Sequence, residues 1–277
     1  MPGPSAVYPP PPGPNGDTLC QRTPTWVCRA DDVSPTHATS ARRRRGERPL
    51  NAGRGAPAVL FDVDGTLVDS NYLHVCAWQR AFHAEDVPVA AWEVHRCIGM
   101  DGSRLVSELT NDAPADVQER LSDGHSRFYQ ELMPLLAPLP GARALLHRVA
   151  DLGLQVVLAS SAPEDELEVL RKALDCDDII SVTTSSKDVD TAKPEPGLVQ
   201  VALDRAGVDA EHAVFVGDSV WDARAADRAG VQCIGVLSGG ISRAELHEAG
   251  ASPVFADTQD LLDHLSSTRI AALAPRR

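Results

Sequence analysis

The apolar run Ala58-Val59-Leu60-Phe61 ends on Asp62-Val63-Asp64, with Gly65-Thr66 directly behind it. On an extended segment, side chains two positions apart point the same way, so both carboxylates face one small volume. Two such charges repel and lose hydration unless a cation neutralises them, and a divalent metal is the simplest remedy. Three further polar groups end apolar runs in the same manner. Ser160-Ser161 follows LQVVLA and Lys193 stands before Pro194 in TAKPEP, while AVFV leads into Gly217-Asp218-Ser219-Val220-Trp221-Asp222. A hydroxyl and an ammonium together meet the needs of a phosphate: hydrogen bonds to its oxygens and a compensating charge. Asp218 and Asp222, four apart, flank one turn and add hard oxygen ligands suited to Mg2+. Two of these stretches also admit a local reading, in which Ser160 or Ser161 caps the helix after Pro163 and Asp222 only stabilises a helix's first turn.

These groups need a scaffold that brings separated strand ends together. From Ala58 onward, short aliphatic or β-branched runs alternate with amphipathic helical stretches, the pattern of a parallel sheet covered by helices. Strands are predicted over 58–63, 154–160, 179–184, 213–218, 231–236 and 253–256. Helices are predicted over 141–152, 163–174, 195–206, 220–229, 242–249 and 257–266. In such doubly wound sheets ligands bind outside the carboxyl ends of the strands, where the polar groups above fall. About ninety residues separate the first two strands, too many for one crossover. Tyr72 to Leu136 is helical in pattern, so an all-helical insertion over 71–137 is expected to cap the sheet. The core then comprises 58–70 and 138–267, with 268–277 as a C-terminal tail.

Composition narrows the classes of function. The formal net charge is −13 and the pI near 5.1, which argues against nucleic acid as a partner. Residues 1–57 hold eleven of the 21 prolines and eight arginines, including the run Arg42 to Arg45, without sustained periodicity, and are predicted to be a disordered extension. No run of eighteen apolar residues is present, so no membrane partner is expected. Six cysteines without a C-x-x-C pair suit reduced thiols in a cytoplasmic protein.

DVDGT, Ser160, Lys193 and GDSVWD, in that order and each at a strand end, resemble the four-motif signature of the haloacid dehalogenase-like phosphohydrolases. The resemblance covers about residues 58–267. An insertion just after the first motif is similar to the subfamily with a helical cap, which includes phosphoglycolate phosphatase-like and β-phosphoglucomutase-like enzymes. The resemblance implies an α/β, Rossmann-like doubly wound core with an inserted helical cap and a Mg2+-dependent reaction on a small phosphorylated metabolite. It implies Asp62 as the nucleophile forming an aspartyl-phosphate and Asp64 as the general acid and base. Ser160, Ser161 and Lys193 would hold the phosphoryl oxygens. Asp62, Asp64 through its carbonyl, Asp218 and Asp222 would surround the metal. One departure is local: Glu195-Pro196-Gly197 follows Lys193-Pro194 where the family often places an acid two or three residues after the proline, which bears on where the next helix starts.

Specificity is expected from the cap. Its segment Ile98 to Arg104 is loop-like, and Arg104, Arg96 and His95 are the candidates for the substrate's non-reacting end. His74, His83 and His125 have no metal-ligand spacing and are expected to be ordinary surface or half-buried residues. A phosphonatase of this type would need a cap lysine, and residues 71–140 contain none. The enzymatic alternative is a β-phosphoglucomutase-like sugar phosphomutase, which the same core would serve. The alternative from another class is a non-catalytic binding module recruited through the proline-rich leader. A monomer is expected.

Overall fold

Val59 and Phe61 turn to one side of the first strand, Ala58 and Leu60 to the other, and all four are fully buried. Such a strand must lie in the middle of a sheet covered on both faces. The computed structural model describes residues 55–188 and 193–275. In it β1 (Ala58–Phe61) is followed by α1 (Asn71–Ala84), α2 (Ala91–Cys97), α3 (Gly102–Thr110), α4 (Ala115–Leu132), α5 (Ala142–Asp151), β2 (Gln155–Ala159), α6 (Glu164–Leu174) and β3 (Ile180–Thr184). Then come α7 (Gly197–Ala206), β4 (Ala213–Gly217), α8 (Val220–Arg228), β5 (Gln232–Val236), α9 (Arg243–Glu248), β6 (Ala251–Phe255), α10 (Thr258–Asp263) and α11 (Arg269–Leu273). The six strands form one sheet in the order β3-β2-β1-β4-β5-β6, and every pairing is parallel. The six predicted strands are present, each shortened by a residue or two at one end or both, except that the last begins at Ala251 rather than 253.

The period-two alternation of the strands sorts the core into two layers. Val59, Phe61, Val156, Leu158, Val214 and Val216 pack with α5, α6, α10 and α11. Leu60, Val157, Ala159 and Phe215 pack on the opposite face with α7, α8 and α9. Full burial of one such side chain contributes about 1.5–3 kcal/mol, so these two layers anchor the sheet. Helices α1 to α4 enclose a third apolar cluster of their own, with Val75, Trp78, Phe82, Leu105 and Leu121 at its centre. The chain leaves and re-enters the sheet side by side: Asp69 N donates to Ala137 O (2.9 Å) and Leu139 N to Leu67 O (2.9 Å).

Two ends of the chain depart from expectation. Arg269–Leu273, predicted as tail, form α11, and Ile270 is fully buried in the α5 layer. Five residues give too little periodicity to show in a sequence. The predicted disordered extension reached residue 57, yet Gly55 N donates to Gly207 O (3.1 Å) and Pro57 O accepts from Gln155 N (2.9 Å). The basic run Arg42 to Arg45 lies outside the described residues. No disulfide joins the described cysteines, and no described helix is long and apolar enough to cross a membrane.

Candidate active site

β1 pairs with β2 on one side and β4 on the other, so the order in which strands are added reverses there, the switch point beyond whose strand tips such sheets form a crevice. Register decides what meets in it. Phe61 is level with Leu158 and with Val216, and Asp62 N donates to Val216 O (2.9 Å). Asp62 therefore sits one step beyond the strand, between the ends that carry Ser160 and Asp218. Gly65 turns the chain at once with φ +72°; a Cβ there would lie 2.5 Å from Asp218 Oδ2 and 2.2 Å from Asn71 Nδ2, so only glycine lets the loop close over Asp218.

Lys193 is 1% exposed, and its Nζ donates to Asp62 Oδ1 at 2.6 Å and lies 2.7 Å from Asp222 Oδ1. Desolvation alone would lower its pKa, but the charges of Asp222 and Asp62 outweigh that and hold the ammonium well above its usual value. Asp62 is driven well above the ordinary carboxylate range by burial, against the pull of Lys193 and with Asp222, Asp218 and Asp64 adding repulsion. Asp218 is pushed up to about 7 by burial and by Asp222, although it accepts from Asn71 Nδ2 (2.8 Å) and Thr66 Oγ1 (2.9 Å). Carboxylate oxygens of Asp62, Asp218 and Asp222 lie within 4.8 Å of one another.

That donor set fits a hard divalent cation. Three buried acids, Asp62, Asp218 and Asp222, face a single lysine, whose ammonium is already shared between Asp62 and Asp222. An excess of buried negative charge of this kind is costly, and an oxygen-binding cation would supply the missing positive charge. Asp222 has the helix-start role that its sequence position allowed, and its other oxygen stays on the side of the acid cluster. Its Oδ2 accepts from Ser219 Oγ (2.6 Å) and Ser219 N (3.1 Å), closing a capping box at the start of α8, while Oδ1 faces the lysine.

Asp64 has a different neighbourhood. Burial would raise its pKa, but the hydrogen bond and charge of His74, the hydroxyl of Ser70 and the charge of Lys193 together hold it below the ordinary value. Ser70 Oγ donates to Asp64 Oδ1 at 2.6 Å, and His74 Nε2 lies 3.4 Å from the same oxygen. His74 Nδ1 is 3.1 Å from Nε2 of His125, which burial keeps well below the usual imidazole pKa. His74, His125, Tyr129 and Trp78 form a continuous stack, with ring centroids 3.9 Å apart for His74 and Tyr129 and 4.1 Å apart for Trp78 and His125.

A cavity of about 370 Å³ opens above these groups. Asp62, Asp64, Lys193, Ser161, Ala162 and Glu166 line it from the sheet side; His74, Trp78, the segment Ile98 to Ser103, Ser122, His125 and Ser126 line it from the helical side. Ser161 is thus at the surface of the cavity, whereas Ser160 is fully buried beneath it and its Oγ accepts from Ala162 N (3.0 Å). Neither serine caps α6, whose first residues have no side-chain cap. Glu195-Pro196 delays α7 to Gly197, two residues later than predicted, and Glu195 instead pairs with Arg228 at 2.7 Å.

The predicted specificity residues are elsewhere. Arg104 is exposed on α3 and does not line the cavity. His95 Nε2 lies 2.8 Å from Gly239 O, and Arg96 pairs with Glu245; both tie the helical layer to the sheet domain. Proximity in sequence to a glycine-rich loop does not reveal which side of α2 faces the sheet. His74 and His125, expected as unremarkable residues, line the cavity instead. The groups that sequence reasoning missed are Thr66, Ser70, Asn71, His74, Trp78 and Glu166. Three of them, Ser70, Asn71 and His74, stand where α1 begins, one turn past the first motif, as polar residues with nothing in the sequence to set them apart.

Parallel topology, an acid pair at the switch point and a lysine bridging Asp62 to Asp222 beneath a cavity make a site suited to a phosphoryl group. The family model for haloacid dehalogenase-like hydrolase matches residues 59–236, and the chain belongs to that family. It is 32% identical over 218 residues to a phosphoglycolate phosphatase of Rhodospirillum rubrum, a match covering 75% of this chain and 90% of that one. It is 31% identical over 201 residues to a phosphorylated carbohydrates phosphatase of Thermotoga maritima, covering 70% and 91%. Among solved structures, a hydrolase from Pseudomonas syringae aligns with a TM-score of 0.73 at 37% identity, over 76% of this chain and 98% of the other.

Proposed function

We propose that this protein is a Mg2+-dependent phosphatase that hydrolyses small phosphorylated metabolites, of the sugar phosphate or phosphoglycolate kind, through an aspartyl-phosphate on Asp62. The observation that carries the reading is the convergence of Lys193 on Asp62 and Asp222 at 2.6 and 2.7 Å beneath one cavity, with Asp218 alongside. Asp62, Asp218, Asp222 and the carbonyl of Asp64 would hold Mg2+, which when bound offsets the charge of the acids and of the substrate.

In the first step a carboxylate oxygen of Asp62 attacks phosphorus and the bond to the leaving oxygen breaks. Asp64 gives that oxygen a proton. Lys193 orients Asp62 and screens it, so that an anionic nucleophile can approach an anionic phosphate. In the second step water attacks the phosphorus, Asp64 takes its proton, and phosphate leaves Asp62 free. The hydrogen bonds of Ser70 and His74 favour ionised Asp64, the form that activates water. An arriving phosphate dianion opposes that bias and favours the protonated form needed for the first step. Ser161 would bind a phosphoryl oxygen from the cavity wall. Ser160 would act from below, holding the backbone turn that presents Ser161 and Ala162.

Phosphate release from p-nitrophenyl phosphate, measured with Mg2+ and with EDTA, tests the reading. Release should require Mg2+ and fall by at least about three orders of magnitude in Asp62→Asn. Metal-independent release, or full activity in that variant, would remove Asp62 and the metal from the reaction. Scoring glucose 1-phosphate conversion to its 6-phosphate in parallel separates hydrolysis from mutase chemistry.

A further inference from the structure

α6 opens with three acids, Glu164, Asp165 and Glu166, and the helix's phase treats them differently. Glu164 is exposed and pairs with Lys187 at 3.1 Å; Asp165 is exposed. Glu166 shares the inward stripe with Leu167, Leu170 and Leu174 and is only 7% exposed. Its carboxylate lines the substrate cavity, yet it accepts no hydrogen bond from any described residue. A carboxylate only 7% exposed and without a side-chain donor costs free energy that an apolar residue in the same stripe would not, and the donors open to it come from what fills the cavity. Burial and the charges of Asp64 and Asp165, against the favourable influence of His74, put its pKa at about 7.

The opposite wall suits the same kind of ligand. Ser122 and Ser126 on α4 line it, Ser122 with its hydroxyl donating to Gln118 O (3.0 Å), and Trp78, stacked on His125, adds an aromatic ring beside them. Resting on the phosphatase reading above, we infer that Glu166 selects the leaving group by accepting a hydrogen bond from a substrate hydroxyl. The site therefore takes phosphate monoesters of neutral polyhydroxy compounds and disfavours those whose leaving group ends in a carboxylate. A hydroxyl meets the unpartnered acceptor, whereas a second carboxylate placed there meets like charge.

Binding to the full chain carrying Asp62→Asn tests this without turnover. Sorbitol 6-phosphate and 2-phosphoglycolate are titrated calorimetrically at pH 8.0 with Mg2+. Sorbitol 6-phosphate should bind at least about tenfold tighter. Adding Glu166→Ala should weaken it about tenfold and leave 2-phosphoglycolate unchanged or tighter. Glu166→Gln, which keeps an acceptor of the same shape, should fall between. Equal affinities, a preference for 2-phosphoglycolate, binding of neither compound, or a ratio untouched by both Glu166 substitutions would overturn the inference. A chain that shows the preference but releases no phosphate from any ester refutes the phosphatase reading and leaves Glu166 as the selecting residue.

Discussion

Replacing Glu166 with glutamine should make the protein more stable, and by an amount that depends on pH. The glutamate's pKa rises from 4.5 to about 7 on folding, burial being the largest cause. Below pH 4.5 the carboxyl is protonated in both folded and unfolded chains, so pH leaves the wild type's stability from this group intact. Between 4.5 and 7 the unfolded chain releases the proton while the folded one keeps it, and wild-type stability falls by about 1.4 kcal/mol per pH unit. Above 7 the loss levels off at about 3 kcal/mol. Glutamine fills the same space and cannot ionise, so its difference from wild type isolates this one group. Urea unfolding at pH 4.5, 6.0 and 8.0 in EDTA, with linear extrapolation, reads that difference directly. The variant should gain about 3 kcal/mol relative to wild type between the first and last pH. Two curves that stay parallel within about 0.5 kcal/mol would show that Glu166 is hydrated or paired in solution, and the argument for an unpartnered acceptor would fail with it.

Lys193→Met should cost about 3–5 kcal/mol of stability without metal, because it leaves Asp62 and Asp222 as uncompensated buried charges; thermal unfolding in EDTA measures it. Mg2+ should raise the melting temperature of the wild type, and Asp218→Asn should shift the midpoint of that Mg2+ titration to higher concentration by about tenfold or more. Tyr129→Phe should be neutral or stabilising by up to about 1 kcal/mol in chemical denaturation, since the Tyr129 hydroxyl is fully buried without a partner. Arg96→Ala should cost under about 1 kcal/mol by the same assay, its pair with Glu245 being half exposed.

The strand ends were legible because an apolar run that stops on a charge is an anomaly in one dimension. Asp62, Lys193, Asp218 and Asp222 each break a hydrophobic or proline-bounded pattern, and parallel topology leaves few places for them to go but the same edge. The supporting shell had no such contrast. Ser70, Asn71 and His74 are ordinary polar residues at a helix start; only the approach of α1 to Asp64 and Asp218 gives them a task. His95 and Arg96 sit beside a plausible substrate loop in sequence but turn towards Gly239 and Glu245, a choice made by how the helical layer packs on the sheet. Glu166 was hidden differently, as one acid among three at a helix N-terminus where acids are favoured anyway. Its phase with Leu170 and Leu174 is visible in the sequence, but phase alone marks an oddity without saying what lies on the inner side. Within the site, each of the four motif acids has an answering group from the chain: Lys193 for Asp62, Ser70 and His74 for Asp64, Thr66 and Asn71 for Asp218, Ser219 for Asp222. Glu166 alone among the acids lining the cavity from the sheet side has none, and a chain that provides for those four carboxylates and not the fifth has left that one for the substrate.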